Sequence, residues 1–345
     1  MRAKAALLPR LLSQPESRLR PLAGRPVRLD GHELSVRTQL MLRLMRVVRE
    51  KGAEEYADLA RGRAAVVRQA RVAGGRLPVG RVDERTVRGA AGPLRARLYV
   101  PTGVTEPGPL LVFFHGGGMV YGDLDSHDAT CRFLAEEAGV RVLAVDYRLA
   151  PEHVFPAGVD DAWAAYDWVV GNAADYDALP DRLAVGGDSA GGYLAAATAL
   201  RAAQERVPLA FQLLIYPMTE MCSRRPSRST FAEGFYLTKG FMDRCEDAYL
   251  AGGDPTDPRA SVLHAGLSPE VVARLAPAYL VTAGFDPLRD EGQAYARKLE
   301  EAGATVEHHL EPGEVHGFAN VLGFEHSGLD AMRRAAAALK AGLGG

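Results

Sequence analysis

The chain has few cysteines, no charge excess and no long apolar run, and each shortage excludes a class of protein. Three cysteines (Cys131, Cys222, Cys245) are odd in number and lack C-x-x-C or metal-ligand spacing. They argue against a disulfide framework and for reduced structural thiols in a cytoplasmic protein. The formal net charge of -2 gives no electrostatic reason to expect nucleic acid or an anionic membrane as partner. No stretch is long enough to span a bilayer, and Ala5 to Leu8 is too short and too soon interrupted for a signal peptide. No cluster of His, Cys and carboxylates suggests a metal, and nothing calls for an organic cofactor. Internal repeats and low-complexity tracts are also missing. What remains is a chain of 345 residues, 47% hydrophobic, enough for one large α/β domain with a smaller appendage.

The first 28 residues carry Arg2, Arg10, Arg18, Arg20, Arg25 and Arg28 and read as a flexible, solvated tail. Helical periodicity follows over Leu34–Lys51, where Leu40, Leu44, Val47 and Val48 repeat at i, i+4, i+7 and i+8. Met41, Leu42 and Met45 broaden that apolar face, as expected of a helix that covers something else. Glu54–Val72 predicts a second helix, and Gly75–Gly92 a loop within which the main domain begins. Leu94–Val100 alternates as a half-buried strand. Leu110–Phe114, Val140–Val145, Leu183–Val185, Phe211–Tyr216 and Ala278–Ala283 are mainly apolar runs, each with at most one polar residue (Arg141, Gln212 and Thr282). They alternate with helical stretches at Ser126–Ala138, Val159–Gly171, Ala190–Glu205 and Leu288–Ala302. That pattern predicts a mostly parallel sheet with helices on both faces and right-handed crossovers. Thr305–Leu310 supplies a last strand and Ser327–Leu343 a closing helix. The expected organisation is an N-terminal helical cap segment over residues 1–80 and an α/β catalytic domain over 81–345. Residues 218–266, polar and then helical near Asp243–Ala251, form a lid or binding insertion within it.

In such sheets, chemistry sits beyond the C-terminal strand ends. Gly187-Asp188-Ser189-Ala190-Gly191 ends one apolar run and opens an Ala-rich helix. It fits G-x-S-x-G, a strained strand-to-helix turn with the serine at its tip, where a Cβ on either side would collide with neighbours. A Gly-rich turn of this kind also occurs in cofactor-binding α/β folds. His115-Gly116-Gly117-Gly118 follows another strand; three glycines let backbone N–H groups converge on one point, as an anion cradle requires. Asp286 follows the strand at Ala278–Ala283, and His316 the strand at Thr305–Leu310. The order Ser, Asp, His is that of α/β hydrolases. His308 and His309 lie inside a strand rather than beyond it, whereas Gly317 leaves the His316 ring room to swing.

His115–Gly118, Tyr147-Arg148-Leu149-Ala150-Pro151-Glu152, Gly187–Gly192, Asp286-Pro287-Leu288 and His316-Gly317-Phe318 together resemble the bacterial hormone-sensitive-lipase family. Its members are carboxylesterases with the α/β-hydrolase fold and a helical cap. The resemblance runs from about residue 80 to the C-terminus. Residues and resemblance agree on Ser189 as nucleophile, His316 as general base and acid, and Asp286 as its orienting partner. The resemblance further implies an oxyanion hole from the N–H groups of Gly117, Gly118 and Ala190. It implies a small acyl ester of short to medium chain as substrate, and a homodimer as in many relatives. Phe235, Tyr236 and Leu237 match the segment that lines the family's pocket, and Met119, Tyr121 and Tyr193 are expected to narrow it. Tyr193 stands where the family more often has Asn, and Glu314 where it has an apolar residue.

Asp188 is expected to make structural hydrogen bonds, Asp290 to fall in the following helix, Arg148 and Glu152 to form a buried ion pair, and Asp160-Asp161 to cap a helix. Glu314, if it faces His316, would raise the imidazole pKa. An amide-hydrolysing deacetylase on the same scaffold is the alternative within hydrolases. A non-catalytic ligand receptor, like the plant gibberellin receptors that resemble this fold, is disfavoured because those lack the catalytic histidine.

Overall fold

The computed structural model describes residues 11–48, 51–56 and 58–344. Eight strands form one sheet: β1 (Arg81–Gly89), β2 (Gly92–Val100), β3 (Gly108–Phe114), β4 (Arg141–Val145), β5 (Ala178–Asp188), β6 (Phe211–Ile215), β7 (Ala278–Phe285) and β8 (Val306–Val315). Their spatial order is β8-β7-β6-β5-β3-β4-β2-β1. β1 and β2, and β2 and β4, pair antiparallel, and all other neighbours are parallel. The topology is that of the α/β-hydrolase fold.

The apolar runs are explained by burial on both faces. Along β3, Leu110, Val112 and Phe114 enter one core, and Leu111 and Phe113 the other. The first core is covered by α5 (Ala157–Gly171), α6 (Ala190–Glu205) and α8 (Arg289–Glu301), through residues such as Val159, Ala196, Tyr295 and Leu299. The second is covered by α4 (Asp128–Ala138) and α9 (Ser327–Gly342), through Phe133, Leu134, Met332 and Leu339. A strand with no solvated face needs no polar alternation.

Before the sheet come α1 (Glu16–Ala23), α2 (Val36–Val47) and α3 (Leu59–Gly74); the insertion contributes α7 (Lys239–Leu250). Five expectations are corrected. From residue 11 onward the Arg-rich leader is not a loose tail: Leu12, Leu19 and Ala23 are buried against Leu40 and Phe324, while Arg2 and Arg10 lie outside the described residues. Among the described residues the far end of α2 covers nothing, since Val47 and Val48 are exposed. Part of the expected Gly75–Gly92 loop is strand β1, whose residues are largely solvent-facing because it is the antiparallel sheet edge. Arg148 does not pair with Glu152. Arg148 Nε and Nη2 bind Asp161 at 2.7 and 2.9 Å, and Asp161 also accepts from Ala90 N at 2.9 Å. Asp161 thus points inward and caps nothing. Glu152 forms a bidentate pair with Arg63 of α3 at 2.8 Å.

The insertion is tethered at its root by Glu291, fully buried in the first turn of α8, which accepts from Thr219 N at 2.9 Å and Glu220 N at 3.3 Å. Its Oε2 has no partner among the described residues. Burial pushes this carboxyl up to about 8, against the pull of Arg228 and the two N–H donors. The folded state therefore holds a proton that the unfolded chain releases near the ordinary carboxylate value, and stability falls as pH rises from about 4.5 to 8. Urea unfolding of wild type and Glu291→Gln across that window should show the wild type losing stability relative to the variant as pH rises. Parallel curves would mean that Glu291 is ionised throughout.

Candidate active site

The turn at the end of β5 places Ser189 at φ 56° and ψ −118°, a sparsely populated conformation for a side-chain-bearing residue. It is held by backbone bonds: Ser189 N donates to Ile215 O at 2.9 Å, and its carbonyl accepts from Met218 N at 3.1 Å. The flanking glycines are obligatory. A Cβ at Gly187 would lie 2.4 Å from Phe114 O, and one at Gly191 only 1.9 Å from the same atom. The Ser189 turn therefore presses directly against the end of β3, from which the His115–Gly118 loop departs.

His316 Nε2 lies 2.9 Å from Ser189 Oγ, and its Nδ1 lies 2.7 Å from Asp286 Oδ2. Asp286 is wholly buried, and Leu288 N donates to its Oδ1 at 2.8 Å. The Tyr216 ring packs at 4.4 Å against the imidazole. Gly317 is required for another reason than ring mobility. It sits at φ +85°, and a Cβ there would lie 2.8 Å from the Tyr236 ring. Asp290 is in α8, where it accepts from Ser227 N at 2.9 Å, apart from the His316 relay.

Asp188 is a hub rather than a relay member. Its carboxylate accepts from Gly116 N at 3.0 Å, Asn320 Nδ2 at 3.3 Å and Tyr216 OH at 3.4 Å, with His127 Nε2 at 3.1 Å. Burial pushes Asp188 up, but His127, His316 and the Gly116 N–H outweigh it, leaving its carboxyl below the ordinary value. His115 is held neutral: burial, then the neighbouring His127, lower it to about 4.

With Gly116 N and Ser189 N already spent on Asp188 and Ile215, the N–H groups of Gly117, Gly118 and Ala190 have no acceptor among the described residues. Gly117 and Gly118 adopt φ +123° and +63°, and Cβ atoms there would collide with Tyr121 O at 2.2 Å and Cys245 Sγ at 2.7 Å. A cavity of about 150 Å3 opens over Ser189 and His316. Tyr121, Tyr236 and Leu237 line it. Met119, Tyr193 and Phe235 do not. Met119 is buried in the core, and Phe235 packs on Phe231 and Phe285. Tyr193 is fully buried, and its hydroxyl donates to Arg259 O at 2.5 Å beside Tyr249 OH at 3.2 Å. It pins the insertion to α6.

Sequence reasoning missed four contributors. His127 braces Gly116 and Asp188, and its signal was only a histidine eleven residues beyond Gly116. Arg63 grips Val120 O at 2.9 Å and Ala150 O at 3.0 Å from α3. Phe241 stacks on Tyr121 at 5.3 Å, and Cys245 abuts Gly118. Glu314 faces away from His316, into a polar cluster with α2 and α9.

A strained serine turn, a histidine and an aspartate beyond successive strands of this sheet define an α/β hydrolase with a serine-centred site. The chain belongs to the α/β-hydrolase fold family, whose match spans residues 111–320, and within it to the bacterial hormone-sensitive-lipase-like carboxylesterases. It is similar to the carboxylic ester hydrolase LipN of Mycobacterium tuberculosis, 42% identical over 87% of this chain and 81% of that protein. It is also similar to an ethyl acetate hydrolase of Pseudomonas putida, 42% identical over 65% of this chain and 71% of that protein. An α/β-hydrolase enzyme from the metagenome of Lake Arreo has the same fold, with TM-score 0.86 and 40% identity, covering 90% of this chain and 99% of its own.

Replacing Tyr193 with Phe removes the donor to Arg259 O and should destabilise the protein by about 1 to 3 kcal/mol, measured by urea unfolding, with the Ser189–His316 contact unaltered. An unchanged unfolding midpoint would mean that the insertion is anchored elsewhere.

Proposed function

We propose that the chain is a serine carboxylesterase for small acyl esters, with Ser189, His316 and Asp286 as catalytic residues. The observation that carries this reading is the pair of hydrogen bonds from Ser189 through His316 to Asp286, beside three N–H groups with no acceptor among the described residues. Ser189 Oγ attacks the ester carbonyl carbon while His316 Nε2 takes its proton. Asp286 fixes the ring and stabilises the imidazolium. Charge on the carbonyl oxygen is met by the N–H groups of Gly117, Gly118 and Ala190, donors worth about 10²–10³ in rate each in comparable sites. The tetrahedral adduct expels the alcohol, which receives the His316 proton, and leaves an acyl group on Ser189. Water, deprotonated by His316, then attacks this acyl group; the carboxylic acid leaves and Ser189 recovers its proton.

Two features support a short acyl limit. The cavity, at about 150 Å3, is smaller than the ~300–1,000 Å3 usual for drug-sized ligands, and the Pseudomonas putida relative is named for ethyl acetate. The N-terminal segment and residues 218–266 together serve as the cap: Val66 and Gln69 of α3 and Phe241, Met242 and Cys245 of α7 wall the cavity. Tyr121, Tyr236 and Leu237 act as its specificity-bearing lining.

Hydrolysis of p-nitrophenyl esters from acetate to palmitate, by wild type and Ser189→Ala in parallel, tests the reading. Activity should be greatest on short chains, fall beyond medium ones, and drop by on the order of 10⁴ or more in the variant. If both proteins were equally inactive on every ester, esterase function would be wrong, and matched amides would be the next substrates to try.

A further inference from the structure

We propose that Glu314 is a positioning residue for His316, and that it acts by latching the N-terminal segment to the histidine-bearing strand end. The inference rests on His316 as the catalytic base. β8 leaves its ladder just where precision matters. Glu311 pairs with Ala283, and the next pair is Val315 with Phe285, so residues 312–314 bulge away from β7 immediately before His316. Ladder bonds cannot hold this stretch, and its conformation has to come from other partners.

Those partners converge on Glu314, which is 1% exposed. Thr38 Oγ1 donates to its Oε2 at 2.9 Å, and Ser35 Oγ lies 3.4 Å from its Oε1. From the other side, Gly328 N donates to Oε1 at 3.1 Å, Ser327 Oγ binds the same oxygen, and His326 Nδ1 lies 3.7 Å away. The backbone adds one bond, Ser35 N to Gly313 O at 2.9 Å. A buried carboxylate with this many donors is fixed in space. It ties the start of α2, the bulge of β8 and the start of α9 to a point two residues from the catalytic imidazole. The neighbouring loop is held by the same segment, since Ala73 O accepts from Leu322 N and Gly323 N at 3.2 and 2.9 Å. The N-terminal segment thereby reaches the catalytic machinery through the histidine's backbone as well as through the cavity wall.

The test uses Thr38→Val, which removes the donor to Oε2 while leaving the Ser35 helix cap, with Thr38→Ser as the conservative control and Glu314→Gln as a second lesion. Four quantities are measured on each 345-residue protein: kcat and KM on p-nitrophenyl acetate, the rate of Ser189 labelling by a fluorophosphonate, and the melting temperature. A misplaced base costs chemistry rather than binding, so Thr38→Val should lower kcat and the labelling rate together by about tenfold. KM should stay within about twofold, and Thr38→Ser should recover most of the rate. Glu314→Gln should follow Thr38→Val. If Thr38→Val lowers only the melting temperature, with kcat and labelling unchanged, the cluster is structural and the proposal fails. A rise in KM at constant kcat would also overturn it, by moving the effect to the cavity wall. Wild-type protein unreactive toward the fluorophosphonate would instead refute the serine-esterase reading itself.

Discussion

Everything at this site depends on one steric constraint: the first turn of α6 lies against the end of β3 with no space for a side chain between them. The 1.9 Å that would separate a Gly191 Cβ from Phe114 O is far inside any tolerable contact. The two segments approach backbone to backbone, and so Ser189 is delivered beside the glycine loop that begins one residue past Phe114. The conformation of Ser189, of the sort that costs about 1–3 kcal/mol, persists because β6 on one side and Met218 on the other fix its N–H and carbonyl.

Two neighbouring carboxylates then divide the work. Asp286 is spent on the imidazole. Asp188 is spent on architecture, gathering the glycine loop, the end of β6 and the loop after His316 around one buried charge. Its charge is stabilised by the donors it organises, which makes the arrangement mutually reinforcing. Removing any one of those donors would loosen all the segments that meet there.

The sheet was legible in the sequence because burial on both faces leaves a clear mark, a mainly apolar run, in β3, β4, β6 and β7, interrupted only by Arg141, Gln212 and Thr282. β1 left none, since Arg81–Gly89 is an edge strand whose largely exposed residues carry the composition of a loop. Ser189, Asp286 and His316 could be found by their positions beyond strand ends, and the glycines by the absence of a Cβ. Pairings across the fold could not. Arg148 finds Asp161 rather than Glu152 because helix α5 turns Asp161 inward, and nothing local in the chain reports that. The pocket wall was similarly opaque. Tyr193, adjacent to the motif, is swallowed by the insertion, while Phe241 and Cys245, distant in sequence, arrive on α7 at the glycine loop.

The seating of Cys245 on Gly118 links two properties that are usually treated as separate. The thiol that bounds the cavity also fills the space into which the glycine loop would otherwise relax. A bulkier residue at 245 would shorten the tolerated acyl chain and push the Gly117 and Gly118 N–H groups out of line in the same movement. A smaller one would admit longer chains while freeing the loop to wander. Along this wall, then, evolution and engineering face a trade between selectivity and turnover. Broader substrate range is more readily reached by changes on the Tyr236–Leu237 side, where the wall does not bear on Gly118.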